Sequence, residues 1–185
     1  ALLFDADGTL LQSLEPHVRF LHAEALKRGL PLSLWPADLA KQRSLAAAPM
    51  SEFIKRAGFV GDELVAEVVA EYEANFAAEY PVHSFPGIDS LLNGGLPPTA
   101  LPCIITSNTT ANVKAGLGPE LSAVFADRVW GLDNSTSRDK AVVIAAVITA
   151  LGFERALGKA IGDTEKDCRA ALKAGVSFIG VNYGF

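Results

Sequence analysis

Two carboxylates stand close together at the end of a short apolar run, in Ala1-Leu2-Leu3-Phe4-Asp5-Ala6-Asp7-Gly8-Thr9-Leu10. Leu2, Leu3 and Phe4 have the character of a strand buried inside a parallel sheet. In extended backbone, residues i and i+2 share a side. Asp5 and Asp7 should therefore project together from the strand's carboxyl end, where open α/β sheets place their ligands. Gly8 lets the backbone turn sharply or approach a bound group closely. Acids held this near repel each other, which costs stability unless a cation or a shared proton offsets it. An acidic turn is the plain alternative, because Asp-Gly is a common turn dipeptide. The buried strand in front and Thr9-Leu10 behind favour a functional pair.

Three further places could join them. Ile104-Ile105-Thr106-Ser107-Asn108 ends an apolar run in hydroxyl and amide groups just before a helical pattern. A hydroxyl there can donate to an anionic oxygen, helped by the backbone N–H groups of the helix, although Ser107 or Asn108 would equally make an ordinary N-cap. Lys140 begins a strongly apolar helical run. A cation at a helix N-terminus is electrostatically unfavourable, so a local anion would explain it. The alternative is a solvated lysine lying along an apolar helix. Ile161-Gly162-Asp163-Thr164-Glu165-Lys166-Asp167 ends a third apolar run in Gly-Asp, with a second acid one helical turn on. That acid lies on the same face, or the two simply complement the helix dipole.

The elements that must position these groups alternate. After the first strand, helical runs are expected from about Ser13 to Gly29, Ala37 to Ala47, Ser51 to Ala57 and Asp62 to Tyr80, punctuated by Gly58, Gly61 and Pro81. Residues 13–82 thus read as an all-helical block. From Phe85 the pattern returns to a short helix at Gly87 to Asn93, a strand at Leu101 to Ser107 and a helix at Thr109 to Leu117. A short strand at Arg128 to Trp130, a helix at Lys140 to Leu151, a strand at Ala156 to Ile161, a helix at Thr164 to Ala174 and a strand at Val176 to Val181 follow. Alternating strands and helices imply an α/β fold, a doubly wound parallel sheet with right-handed crossovers. The expected domains are a core of 1–12 and 83–185, and an inserted all-helical cap of 13–82 placed over the strands' carboxyl ends as a lid.

The chain has 185 residues, half of them hydrophobic, enough for one domain with a modest insertion and a sizeable core. A net charge of -5 argues against non-specific nucleic-acid binding, which wants a basic face. Ala141 to Phe153, the most apolar stretch, is too short to span a bilayer. The N-terminus reads as a strand without a basic leader. Cys103 and Cys168 make neither a disulfide framework nor a metal spacing. A cytoplasmic protein with no membrane partner is expected, its oligomeric state open.

Asp5-Ala6-Asp7-Gly8-Thr9-Leu10 resembles the first motif, DxDGT and an apolar residue, of the haloacid dehalogenase-like hydrolases, most of which are phosphatases. Ser107-Asn108 resembles the second motif, Lys140 the third-motif lysine, and Gly162-Asp163 with Asp167 the fourth, GDxxxD. All four occur in family order across the whole chain. The resemblance implies a Rossmann-like core with a helical cap, of the phosphoglycolate phosphatase and β-phosphoglucomutase-like branch. It implies Mg²⁺ held by Asp5, Asp163 and the backbone carbonyl of Asp7, with Asp167 as a ligand or orienting metal-bound water. Asp5 would be the nucleophile and Asp7 the general acid and then base. Ser107, Asn108 and Lys140 would hold the phosphoryl oxygens of a small phosphorylated metabolite.

Asp7 also separates branches, because haloacid dehalogenases proper attack carbon and generally lack this second acid. Substrate choice should lie on the lid, with Arg43 in Gln42-Arg43-Ser44 the best candidate contact. Ala141 stands where the family often has proline, which keeps Arg138 as a competitor to Lys140; Gln12 stands where many relatives carry an acid. A phosphosugar mutase and a catalytically silent binding module on the same fold are the alternatives. A receiver-type signalling domain is disfavoured by the helical insertion.

Overall fold

The computed structural model describes residues 1–31 and 38–185. The chain forms two compact units, one of 1–12 with 83–184 and one of 13–82 with Phe185. The first contains five parallel strands, β1 Leu2–Phe4, β2 Pro102–Ile105, β3 Val129–Trp130, β4 Lys159–Gly162 and β5 Ser177–Gly180, in the order β3-β2-β1-β4-β5. Leu2, Leu3 and Phe4 stand beside Pro102, Cys103 and Ile104 on one side and Lys159, Ala160 and Ile161 on the other. Both neighbours of β1 therefore start level with it and run one residue further. Doubly wound parallel architecture, as the alternating pattern implied, is what the chain adopts.

Four helices of this unit are numbered after those of the helical unit: α5 Ile88–Ser90, α6 Thr110–Phe125, α7 Lys140–Ala150 and α8 Glu165–Ala174. One face of the sheet buries Leu3, Cys103, Ile105 and Ala160 against Ile144, Val147 and Ile148 of α7 and Ala171 and Ala174 of α8. Burying a side chain such as Ile148 contributes ~1.5–3 kcal/mol. On the other face Phe4 meets Phe125 of α6 edge-on, with ring centroids 6.3 Å apart. α7 starts where Asp139 accepts the Ala141 N–H at 2.9 Å, and α8 stops at Gly175, whose φ of 78° is the left-handed C-cap conformation.

Three elements differ from the sequence-based expectation. The helix expected to end at Leu117 runs on to Phe125, broken at Gly118 with Pro119 opening the second segment. Proline lacks only an N–H that the first helical turn leaves unpaired. The segment from Ala156 begins as a tight 3₁₀ turn, Arg155–Leu157, so its strand is Lys159–Gly162. The short helix at Ile88 widens into a π turn at Leu91–Gly95.

The second unit comprises α1 Leu14–Lys27, α2 Leu39–Ala46, α3 Met50–Arg56 and α4 Asp62–Glu79, with no strand among the described residues. The expected start of the second helix at Ala37 lies outside the described residues. Phe20, Phe53, Ile54, Val68 and Phe76 make its core, and His17 Nε2 lies 3.1 Å from the Tyr72 hydroxyl inside it. No helix among the described residues is long and apolar enough to cross a membrane.

Candidate active site

The turn after β1 is built around one carbonyl. Thr9, Leu10 and Leu11 all donate their N–H groups to the Ala6 oxygen, at 3.2, 2.8 and 2.9 Å. Such convergence requires a left-handed residue, supplied by Gly8 at φ 79°. A Cβ there would fall 2.2 Å from Asp163 Oδ2, so only glycine lets β1's turn close over β4's end. Thr9 Oγ1 donates to Asp163 Oδ1 at 3.0 Å across that junction, and Tyr183 donates its hydroxyl to the Thr9 carbonyl at 3.0 Å.

Asp5 leaves β1 beside Lys140 and Asp167. Lys140 Nζ lies 2.7 Å from Asp5 Oδ1 and 2.5 Å from Asp167 Oδ1, and all three side chains are about nine-tenths buried. Asp167 does two things at once. Its Oδ2 accepts the Thr164 N–H at 3.2 Å while Thr164 Oγ1 accepts the Asp167 N–H, a reciprocal capping box that starts α8. Its Oδ1 is thereby turned to Lys140. One carboxylate thus both caps α8 and pairs with Lys140.

Asp5, Asp163 and Asp167 each bring one carboxylate oxygen within 4.8 Å of the others. Burial pushes the Asp5 carboxyl up to about 8; Lys140 opposes the rise, while Asp167 and Asp163 add to it. Burial also works against the Lys140 ammonium, but its two acid partners outweigh it and hold it above the usual lysine range. Burial likewise disfavours the charge on Asp167, and Lys140 prevails, holding that carboxyl below the usual range. One ammonium among three carboxylates leaves an excess of negative charge. Hard oxygen donors so arranged suit a divalent cation such as Mg²⁺.

Asp7 turns instead toward the loop after β2. Its Oδ2 accepts from Asn108 Nδ2 at 3.0 Å. In that loop Thr106 is buried, with its N–H on the Trp130 carbonyl and its Oγ1 accepting the Asn108 N–H at 3.1 Å. Ser107 is exposed. Thr106, Ser107, Ser135, Ser137, Arg138 and Lys140 line one concave pocket. Leu3, Asp5, Ile105, Lys140, Ile144 and Asp167 line a second.

The family model of the haloacid dehalogenase-like hydrolases matches residues 2–181. The chain belongs to that family. Among solved structures, a predicted phosphatase from Clostridium acetobutylicum is 26% identical, with a TM-score of 0.76 over 99% of this chain and 84% of the other. A candidate phosphoglycolate phosphatase from Lactobacillus plantarum aligns with a TM-score of 0.80 at 23% identity, covering 96% and 84%. CbbY from Rhodobacter sphaeroides, solved with phosphate, aligns at 0.76 and 22% identity over 99% and 87%. Among curated proteins none matches significantly.

In this hydrolase Asp5, Lys140, Asp163 and Asp167 come together, with Asp7 and Asn108 joined beside them. The Asp7 carboxylate engages Asn108 rather than the acid cluster, which leaves its backbone carbonyl as the donor that the family resemblance assigns to metal. Arg43 lies on α2 in the helical unit, its Nε shielded from water with no hydrogen-bond partner among the described residues. Sequence reasoning passed over Thr106, Thr164 and Asn112. For Thr164 the signal was present, since a threonine followed three residues later by an acid is a capping-box pattern. For Thr106 it was not, because either of two adjacent hydroxyl residues could end the strand facing inward.

Proposed function

We infer that the protein is a Mg²⁺-dependent phosphatase that hydrolyses a small phosphomonoester, phosphoglycolate-like or a sugar phosphate, in the cytoplasm. One observation carries this reading: a buried lysine shared by Asp5 and Asp167, with Asp163 in the same cluster and Asp7 two residues along. The phosphate-bound neighbour on this fold supports the phosphoryl chemistry.

Asp5, Asp163 and Asp167 would hold Mg²⁺, with the Asp7 carbonyl as a further donor. When bound, it supplies positive charge that allows a carboxylate to approach a phosphate anion. Asp5 attacks phosphorus and the bond to the ester oxygen breaks, leaving an aspartyl-phosphate. Asp7 gives its proton to the departing alkoxide, then takes one from the water that attacks phosphorus and restores Asp5. Positioned proton transfer of this kind is worth ~10²–10⁴ in rate. Lys140, with Ser107 and Asn108 at the end of β2, holds phosphoryl oxygens as their charge redistributes. Thr106 is a second hydroxyl for that task. The helical insertion 13–82 is the proposed reader of the rest of the substrate, with Arg43 as its candidate contact.

Phosphate release from a panel of small phosphomonoesters, with Mg²⁺ and with chelator, tests the reading. Metal-dependent release abolished by Asp5→Asn is expected. Turnover that persists in that variant would overturn the assignment of Asp5, and no release from any ester would overturn the reaction class.

A further inference from the structure

Asn108 spends most of its polar groups inside the protein and keeps one amide hydrogen for a substrate. Its Oδ1 accepts the Thr109 N–H at 2.8 Å and Asn112 Nδ2 at 3.2 Å. Its backbone N–H goes to Thr106 Oγ1 at 3.1 Å, and its carbonyl accepts the Leu132 N–H at 2.9 Å. A backbone N–H can only donate, so the Thr109 contact decides which end of the amide is oxygen. The NH₂ end must then face Asp7, whose Oδ2 it meets at 3.0 Å. Asn108 and Asn112 are each 7% exposed, and nothing in the phosphate-handling chemistry uses Asn112.

We propose that Asn112 and Asn108 form a positioning relay that aims the Asp7 carboxyl at the ester oxygen. The relay rests on the phosphatase reading and deepens it. Asn112 touches neither phosphate nor metal ligands in this arrangement; it acts by locking the Asn108 amide, which holds one Asp7 oxygen and leaves the other to exchange the proton. In the step served, the phosphorus–oxygen bond breaks as the Asp7 proton passes to the leaving oxygen, and Asp5 keeps the phosphoryl group.

The readout is the dependence on leaving group. An alkoxide needs that proton, whereas a nitrophenolate does not. The kcat/KM for each ester reports only the steps through leaving-group departure, so it isolates the acid role. Asn112→Ala should lower kcat/KM for an alkyl phosphate about tenfold, a part of the acid's full worth, while its kcat/KM for p-nitrophenyl phosphate stays within about twofold. Asn108→Ala should lower the alkyl-to-aryl ratio at least as far. Adding Asn112→Ala to Asn108→Ala, or to Asp7→Ala, should change that ratio no further. Asn112→Gln, which keeps an amide, should recover part of the loss and serves if the alanine variant fails to fold. Equal losses on both esters, or an Asn112 effect that persists without Asp7, would overturn the relay. A wild-type protein that hydrolyses neither ester would overturn the phosphatase reading, and the relay with it.

Discussion

Asp5 meets opposed demands. The proposed reaction requires it charged, while burial and two neighbouring acids disfavour the charge and push the carboxyl up to about 8 from 3.8. A carboxyl raised on folding binds its proton more tightly in the folded state, so stability falls as pH rises from about 4 to about 8. In metal-free protein, Asp5→Asn should then raise the melting temperature at pH 9 by at least ~2–4 °C, the shift that about 1 kcal/mol produces in a chain of this size. The gain should vanish below pH 4, where both states carry the proton. Thermal scans across pH check this, and an alkaline melting temperature lower than wild type would show that Asp5 is not electrostatically strained. Lys140 carries the converse risk. Lys140→Met leaves Asp5 and Asp167 facing each other without their shared cation, a loss on the order of 3–5 kcal/mol for a broken buried pair. Urea titration of metal-free protein measures it, and added Mg²⁺ should recover part of the loss.

At the scale of elements, the site depends on how three strands end and two helices begin. α8 opens with Asp167 accepting the Thr164 N–H and Thr164 Oγ1 accepting the Asp167 N–H, which leaves the other Asp167 oxygen to Lys140. Thr164→Ala should cost about 1 kcal/mol in stability, the usual worth of an N-cap. It should also weaken Mg²⁺ activation, because a freed Asp167 rotamer no longer presents its oxygen. A titration of rate against Mg²⁺ that matches wild type would confine Thr164 to capping. Features of this kind were legible in the sequence because they are local: a strand run, a glycine and two acids at fixed spacing determine their own geometry over a few residues. Gly8 was legible for the same reason, although the sequence could not say that Asp163 is what it makes room for. Thr106 was hidden because the strand's exit is decided by its pairing with Trp130, more than twenty residues away. Gly118-Pro119 misled for a related reason. Two breakers in a row look like a terminus, yet the chain resumes the helix to bring Phe125 onto Phe4.

At the scale of the whole molecule, strand order is the information that a linear pattern withholds. Alternating elements imply a parallel sheet, but not that β1 lies between β2 and β4. That order reverses the direction of winding at β1, and ligands of open α/β sheets bind at such a switch point. It brings Lys140 to Asp5 across 135 residues of chain and Thr9 to Asp163 across 154. An ion held there would tie the ends of β1 and β4 and the first turn of α8 together only in the folded state, since the unfolded chain scatters them. Its binding free energy must then appear as global stability, about 2.7 kcal/mol at a hundredfold excess over the dissociation constant. Mg²⁺ should therefore raise the melting temperature by roughly 5–10 °C at that excess. Asp163→Asn, which removes one of the three clustered carboxylates, should reduce the rise to a small fraction. Calorimetry at increasing Mg²⁺ checks both. A wild-type melting temperature independent of Mg²⁺ would mean that the cluster is satisfied by Lys140 and protons alone, and would remove the ion from the proposed chemistry.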